Sequence, residues 1–324
     1  MKLYISHSHN PYYNLAVEEY LFRNEEDEVF MLWQNDRTAV VGKNQNIYTE
    51  LNLEKVKAGG IKIARRITGG GAVYHDLGNL NYSYIGTAAM AGENSFLRFS
   101  EPIISALASL GVSVVLSGRN DLTVDGRKIS GAAEHTEAGR TLHHGTLLFD
   151  SDLSVLSECL SVDREKLSSK GISSVSSRVT NIKPYLPEIN GVAELISAIA
   201  KEISEKRGAT LHPLPSCPEI SELEERYSSD DWLYPKRRLV SEYTRSYKRR
   251  FPFGSVEVLL SLSGEKIVSA DISGDFFEGE NFSLLKDAFL GEISELKSRI
   301  ERRDLDGYII GMRAGDLLEL FELC

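Results

Sequence analysis

Residues 65–83 read Arg-Arg-Ile-Thr-Gly-Gly-Gly-Ala-Val-Tyr-His-Asp-Leu-Gly-Asn-Leu-Asn-Tyr-Ser. A short β-prone run, Ile61 to Ile67, leads into three consecutive glycines, and a second alternating run, Gly71 to His75, follows them. Glycine has no Cβ, so a ligand can approach the backbone and meet its N–H groups. Arg65 and Arg66 add fixed positive charge and forked donors, and His75, Asp76 and Asn79 follow closely. Such a set suits a phosphate or carboxylate site. Alone, the stretch reads more readily as a glycine-rich hairpin with solvated arginines. The common nucleotide fingerprints do not fit: Ala72-Val73-Tyr74 stands where a P-loop needs Gly-Lys-Ser/Thr, and Tyr74 where a dinucleotide motif needs glycine.

The rest of the chain narrows the choice. Its 324 residues are 42% hydrophobic and 26% charged, enough for a sizeable core and about two domains. The net charge of −10 argues against bulk nucleic-acid binding. Cys159, Cys217 and Cys324 are widely spaced and form neither a metal pattern nor an even disulfide set, which points to a reducing compartment, the cytoplasm. The N-terminus has no apolar signal run, and no apolar stretch is long enough to span a membrane.

Hydrophobic periodicity predicts a strand at 2–6, an amphipathic helix at 13–24, and paired strands at 29–34 and 38–43. Further strands are expected at 80–85, 112–116 and 141–149, and helices at 51–58, 95–110, 153–160 and 193–207. Asp125-Gly126 is a two-residue hairpin signal between Leu122 and Ser130. Residues 168–183 read as a loop. Residues 208–250 read as a proline-bearing linker with a basic run, seven Lys or Arg against one Glu between Trp232 and Arg250. A hairpin around Ser263-Gly264-Glu265 and helices at 283–290, 292–302 and 314–323 complete a second pattern. Strands and helices interleave without regular βαβ alternation. That predicts an α+β fold: a large N-terminal domain, 1–248, with mixed or antiparallel sheets packed by helices, and a small α+β C-terminal domain, 249–324.

Gly118-Arg119-Asn120-Asp121 places an acid and an amide directly after a strand, a pair able to hold Mg²⁺ beside phosphate oxygens and also ordinary turn chemistry. Lys128 follows on the return strand, with the small residues Ser130 to Ala133 leaving room beside it. These blocks, with Leu32-Trp33-Gln34-Asn35, His143-His144-Gly145-Thr146 and Lys170-Gly171-Ile172-Ser173-Ser174-Val175, resemble the lipoate-protein ligase A family in order and content. The tail beyond 250 resembles that family's small C-terminal domain.

The resemblance implies an ATP-dependent, AMP-forming ligase that turns free lipoate into lipoyl-AMP and passes the lipoyl group to the acceptor lysine of lipoyl domains. The implied partners are the E2 subunits of 2-oxoacid dehydrogenases and the glycine cleavage H protein. It assigns ATP to Arg66, Gly71, Ala72, Val73, Tyr74, Lys128, Ser174, Val175 and Arg178. It assigns lipoate to Arg65, Gly70, Gly71, His75, Asn79, Lys128 and His144, and Mg²⁺ to Asn120 and Asp121. Lys128 is the catalytic candidate, bridging carboxylate and α-phosphate. An apolar channel for the acyl tail is expected beside the glycines, with Leu80 to Ile85 as lining. Two other readings are an octanoyl or lipoyl transferase, which needs a thiol and no ATP, and a lipoate sensor without chemistry. No cysteine is flanked by a site motif, and Lys128, Asp121 and both arginines are retained. A biotin ligase lacks support because its glycine-arginine-glycine pattern is absent.

Overall fold

The computed structural model describes residues 1–90, 94–159, 178–235, 243–279, 281–303 and 307–322. Two compact units emerge: Met1–Val40, Tyr48–Arg65 and Val73–Leu233 form the first, and Val41–Ile47, Arg66–Ala72 and Tyr234–Cys324 the second. The chain therefore passes between units after Val40, Ile47, Arg65, Ala72 and Leu233. The glycine stretch belongs by its contacts to the C-terminal unit, although it is far from that unit in sequence.

The first unit is built on eight strands: β1 (Lys2–Ile5), β2 (Val29–Trp33), β6 (Asn79–Thr87), β7 (Val115–Ser117), β8 (Asp121–Val124), β9 (Arg127–Glu137), β10 (Arg140–Leu148) and β11 (Thr210–Leu211). Their order is β11-β1-β2-β6-β10-β9-β8-β7. β1 runs parallel to both β2 and β11; the other pairs are antiparallel. Asp125 (φ 49°) and Gly126 (φ 74°) turn the β8–β9 hairpin, the two positive φ values a primed turn requires. A small sheet, β4-β3-β5, holds β3 (Thr38–Val41), β4 (Lys62–Arg65) and β5 (Val73–His75). The runs at 29–34 and 38–43 are thus strands but do not pair with each other. β2 is buried along its whole length, and its apolar residues are satisfied only inside the large sheet.

Successive residues of a strand face opposite ways, so the large sheet has two distinct faces. On one, Leu80, Tyr82 and Tyr84 of β6 join Leu122, Ile129 and Leu147 in a core with Phe99, Ile103 and Leu107 of the helix Ser95–Ser109, and Leu195, Ile199 and Ile203 of the helix Val192–Arg207. The other is packed by the helix Pro11–Asn24, which starts on Asn10, whose side chain accepts from Tyr12 N–H. Residues 208–235 hold more structure than a linker. The helices Pro218–Ser228 and Asp230–Leu233 pack here, with Arg226 and Tyr227 bonded to the buried Glu19. The many charged residues of Pro218–Ser228 hid its apolar positions, Ile220 and Tyr227, from a periodicity reading.

The second unit carries a four-stranded antiparallel sheet, β12 (Arg245–Phe251), β13 (Gly254–Ser263), β14 (Lys266–Gly274) and β15 (Gly291–Glu292). Its core joins Val256, Val258 and Leu260 to Phe276, Phe289, Ile300 and Leu317. Among the expected helices, 283–290 resolves into two 3₁₀ turns, Phe282–Leu284 and Lys286–Ala288, and Leu296–Glu301 and Ala314–Leu320 are helical. The fold is α+β with a large N-terminal sheet unit and a smaller C-terminal one.

Candidate active site

Within the first unit, β8 and β9 bring Asn120, Asp121 and Lys128 together. Lys128 Nζ lies 2.7 Å from Asp121 Oδ1, both side chains 37% exposed. A Cβ built on Gly131 would stand 2.8 Å from Lys128 Nζ, so any larger residue would displace the ammonium from the position it takes over the glycine. This is the room that the small residues after Lys128 promise in the sequence. Asn120 is fixed by its amide nitrogen, which donates to Ala132 O at 2.6 Å. One carboxylate and one amide oxygen are hard donors that fit a Mg²⁺ brought in on nucleotide phosphates. They do not form a free-standing metal cage, and among the described residues no cluster of three or more His, Cys, Asp or Glu does.

Beside Lys128, Thr180 N–H donates to Lys128 O at 2.8 Å, which brings exposed Arg178 to the edge of the same strand. Ser174 and Val175 lie outside the described residues.

The sheet face under helix Pro11–Asn24 is polar. His144 Nδ1 sits 2.9 Å from Glu18 Oε1, Ser83 donates to the same carboxylate, and Trp33 Nε1 donates to Ser83 Oγ at 2.8 Å. His75, at the end of β5, holds Asn35 through Nδ1 at 3.2 Å and meets the Trp33 ring edge-on. Asn79 donates to Asn81 Oδ1 at 2.9 Å. The expected apolar lining therefore divides: Leu80, Tyr82 and Tyr84 face the helical core, and Asn79, Asn81 and Ser83 face the site side. Sequence reasoning missed Glu18, Ser83 and Asn81. A carboxylate in mid-helix reads as solvated, and only the register of β6 against β10 puts Ser83 opposite His144 and Asn81 opposite Thr146.

Arg65 is 2% exposed. Its guanidinium donates to the carbonyls of Trp232 and Leu233, at 3.1 and 2.7 Å, and Trp232 Nε1 returns a bond to Arg65 O. Burial lowers its pKa to about 10. Tyr74 is buried, which together with Asp76 raises its phenol above the usual range.

In the second unit, Arg66 closes the glycine loop on itself. Its Nη2 donates to Gly69 O at 2.7 Å and Gly71 O at 2.9 Å, and its Nε to Thr68 Oγ1. Gly70 has φ 90°. The three glycines differ in what surrounds them. A Cβ on Gly69 would stand 2.3 Å from Phe276 O, whereas one on Gly71 would meet nothing within 4 Å. Gly69 is glycine for the protein's own packing, and Gly71 is the one left facing open space, next to Ala72 and Val73.

The arrangement is an α+β sheet unit with a lysine–carboxylate pair on its surface and a polar floor beside it. A family model for the lipoyl protein ligase A/B catalytic domain matches residues 10–204, and one for the bacterial lipoate protein ligase C-terminus matches residues 241–321. The chain belongs to the lipoyl protein ligase A/B family. It is 36% identical over 330 aligned residues to lipoate-protein ligase LplJ of Bacillus subtilis, covering 96% of each chain. The solved structure of Plasmodium falciparum LipL1 in complex with lipoate aligns over 99% of this chain and 97% of its own, with TM-score 0.80 and 25% identity. Lipoate-protein ligase A bound with ATP aligns over 72% and 98%, with TM-score 0.59 and 25% identity.

Proposed function

We propose that the protein is an ATP- and Mg²⁺-dependent lipoate-protein ligase. The observation that carries this reading is the half-exposed Lys128 ammonium, seated over Gly131 and held by Asp121. In the first reaction a lipoate carboxylate oxygen attacks the α-phosphorus of ATP and pyrophosphate leaves. In the second, an acceptor lysine amine attacks the carbonyl of lipoyl-AMP and AMP leaves. Negative charge gathers between carboxylate and α-phosphate in the first step, and a preorganised cation there lowers the barrier. Lys128 supplies that cation, and Asn120 and Asp121 would hold a Mg²⁺, which would supply further neutralisation of phosphate charge. Arg66, Gly71, Ala72, Val73 and Tyr74 hold the nucleotide, with Arg178, Ser174 and Val175 closing over it. His75, Asn79, His144, Gly70 and Arg65 serve the lipoate side. Residues 1–248 carry the chemistry and 249–324 are accessory.

The acceptors are lipoyl domains of E2 subunits and the glycine cleavage H protein, and the reaction runs in the cytoplasm. The ATP-bound ligase and the lipoate-bound LipL1 support the use of ATP and lipoate, and a structural neighbour from Thermoplasma acidophilum, a bi-partite lipoate protein ligase with its E2 lipoyl domain, supports a lipoyl domain as acceptor. A transferase with a cysteine thioester finds less support. Cys159 is buried, and burial pushes its thiol further up, away from the reactive thiolate. Lipoate-dependent exchange of labelled pyrophosphate into ATP tests the reading: a ligase shows it, and its absence from folded protein would refute the proposal.

A further inference from the structure

One row of side chains crosses the sheet of the first unit beneath the helix Pro11–Asn24. It begins at Gly131 of β9, over which the Lys128 ammonium sits. Gly131 N–H donates to Thr146 Oγ1 of β10 at 3.3 Å. Thr146 stands opposite Asn81 of β6, and Asn81 opposite Trp33 of β2. Directly opposed residues share a face, so Lys128, Thr146, Asn81 and Trp33 lie along one line. From β9 to β6 is two strand spacings, about 10 Å.

Asn81 is 1% exposed and Asn79 is fully buried. The two amides bond to each other, Asn79 Nδ2 donating to Asn81 Oδ1. Asn81 Nδ2 and Asn79 Oδ1 have no hydrogen-bond partner. Exchanging nitrogen for oxygen in both amides still leaves one donor and one acceptor orphaned; the free donor belongs to Asn81 in the orientation of the structure, with Asn79 Nδ2 donating to Asn81 Oδ1. Two amides joined by one bond always leave a donor on one and an acceptor on the other. A buried polar group left unmade is costly, so something outside the described residues is expected to meet them.

The reach fits the acyl substrate. Three extended single bonds span about 3.5 Å, so the carboxyl carbon and four methylenes place the ring sulfurs about 7–9 Å away. With the carboxylate at Lys128, an acyl chain crossing β10 is long enough to bring its dithiolane to β6, where the side chains that bury Asn81 must shift to admit it.

We propose that Asn81 reads the far end of the substrate, its buried amide donating to a dithiolane sulfur and so separating lipoate from a plain fatty acid of equal length. This rests on the ligase reading above. Sulfur is a weak acceptor, so the discrimination is modest. An aliphatic tail leaves the amide unpartnered, whereas the ring does not.

The test compares Asn81→Thr with Asn81→Val. The two side chains have nearly one shape and both suit a strand, but only Thr keeps a donor. Pyrophosphate exchange is measured with lipoate and with octanoate, and calorimetry measures binding of each acid. The lipoate-to-octanoate ratio of kcat/KM, and of affinity, is expected to fall about fivefold in Asn81→Val, the size of one net hydrogen bond. Asn81→Thr should retain most of it. An unchanged ratio in folded Asn81→Val, or an equal loss for both acids in both variants, would overturn the proposal and leave a buried water as the partner of the pair. If Asn81→Val does not fold, Asn81→Ser against Asn81→Ala makes the same comparison. If the wild type shows no exchange, the ligase reading fails, and the calorimetric ratio alone decides whether Asn81 reads the ring.

Discussion

The two faces of β10 carry adjacent histidines with opposite surroundings. His143 points into the helical core. It is fully buried, stacked on Phe99 and held between Glu134 at 2.8 Å and Ser100 at 3.2 Å. His144 points to the other side, onto Glu18, in line with Ser83 and Trp33. Both rings are paired with a carboxylate, so pairing does not distinguish them. What differs is the company: aromatic rings and helix side chains around one, a polar floor leading to Lys128 along the other. Apolar packing on the first face stabilises the sheet. The second face keeps polar groups buried at a cost in stability, which is the usual sign of a site. Substitutions on the two faces should accordingly separate stability from activity.

The largest effect is expected at Lys128. Lys128→Ala should lower adenylation by about 10²–10³, the usual loss when one preorganised charge partner is removed. Lys128→Arg should fail as well, since a planar fork does not replace a compact ammonium over Gly131. The Lys128–Asp121 pair is partly exposed, so its loss should change stability by less than about 1 kcal/mol. Single-turnover formation of lipoyl-AMP, with a melting curve, measures both. Near-normal adenylate formation would remove Lys128 from the mechanism.

Much of this was legible in the sequence. The Asp125-Gly126 turn fixed the β8–β9 hairpin and with it the meeting of Asp121 and Lys128. Small residues after Lys128 announced the space beside it. What escaped was long-range. The pairing of β2 with β1 and β6 depends on burial of its whole length, which nearest-neighbour periodicity does not express. Charged residues masked the helix Pro218–Ser228, whose Tyr227 reaches Glu19 across about 200 residues of chain. The adjacent arginines read as one cationic pair, but Arg65 is turned to the carbonyls of Trp232 and Leu233 and Arg66 to those of the glycine loop. The basic run beyond Trp232 was legible only as charge. Lys236 to Glu242 lie outside the described residues, and Arg249 and Arg250 of β12 pair with Glu319 and Asp275.

The glycines offer the next contrast, within the second unit. Gly69→Ala should destabilise that unit severely, because its Cβ would press on Phe276 O. Gly71→Val should leave the melting temperature nearly unchanged and weaken ATP binding by about tenfold or more. Equal ATP affinity in a folded Gly71→Val variant would return the loop to a purely structural role.

A smaller effect should appear in pH dependence. Burial holds the His143 pKa below its ordinary 6.5, so the folded state keeps the ring neutral where the unfolded chain begins to protonate. The unfolded state then binds more protons, and stability is lost as pH falls below about 6.5 toward the folded pKa. Melting temperatures should drop by a few degrees over this range, and His143→Gln should flatten the curve. An identical slope in both proteins would assign the acid sensitivity to other groups.

The smallest expected effect separates ligase from transferase. Replacing Cys159 by Ala and Cys217 and Cys324 by Ser removes every thiol from the chain. A ligase activates the acyl group as an adenylate and needs no thiolate, whereas a transferase of the thioester type would lose all activity. Cys159 is 2% exposed, so Ala is the gentler change there, and any cost should be in packing. The triple variant should modify a lipoyl domain from lipoate, ATP and Mg²⁺ at a rate within about twofold of wild type, a difference too small to reflect a lost nucleophile. Omitting ATP should stop both proteins. A folded but inactive triple variant, or a wild type that uses free lipoate without ATP, would move the chemistry away from Lys128 and onto a thiol.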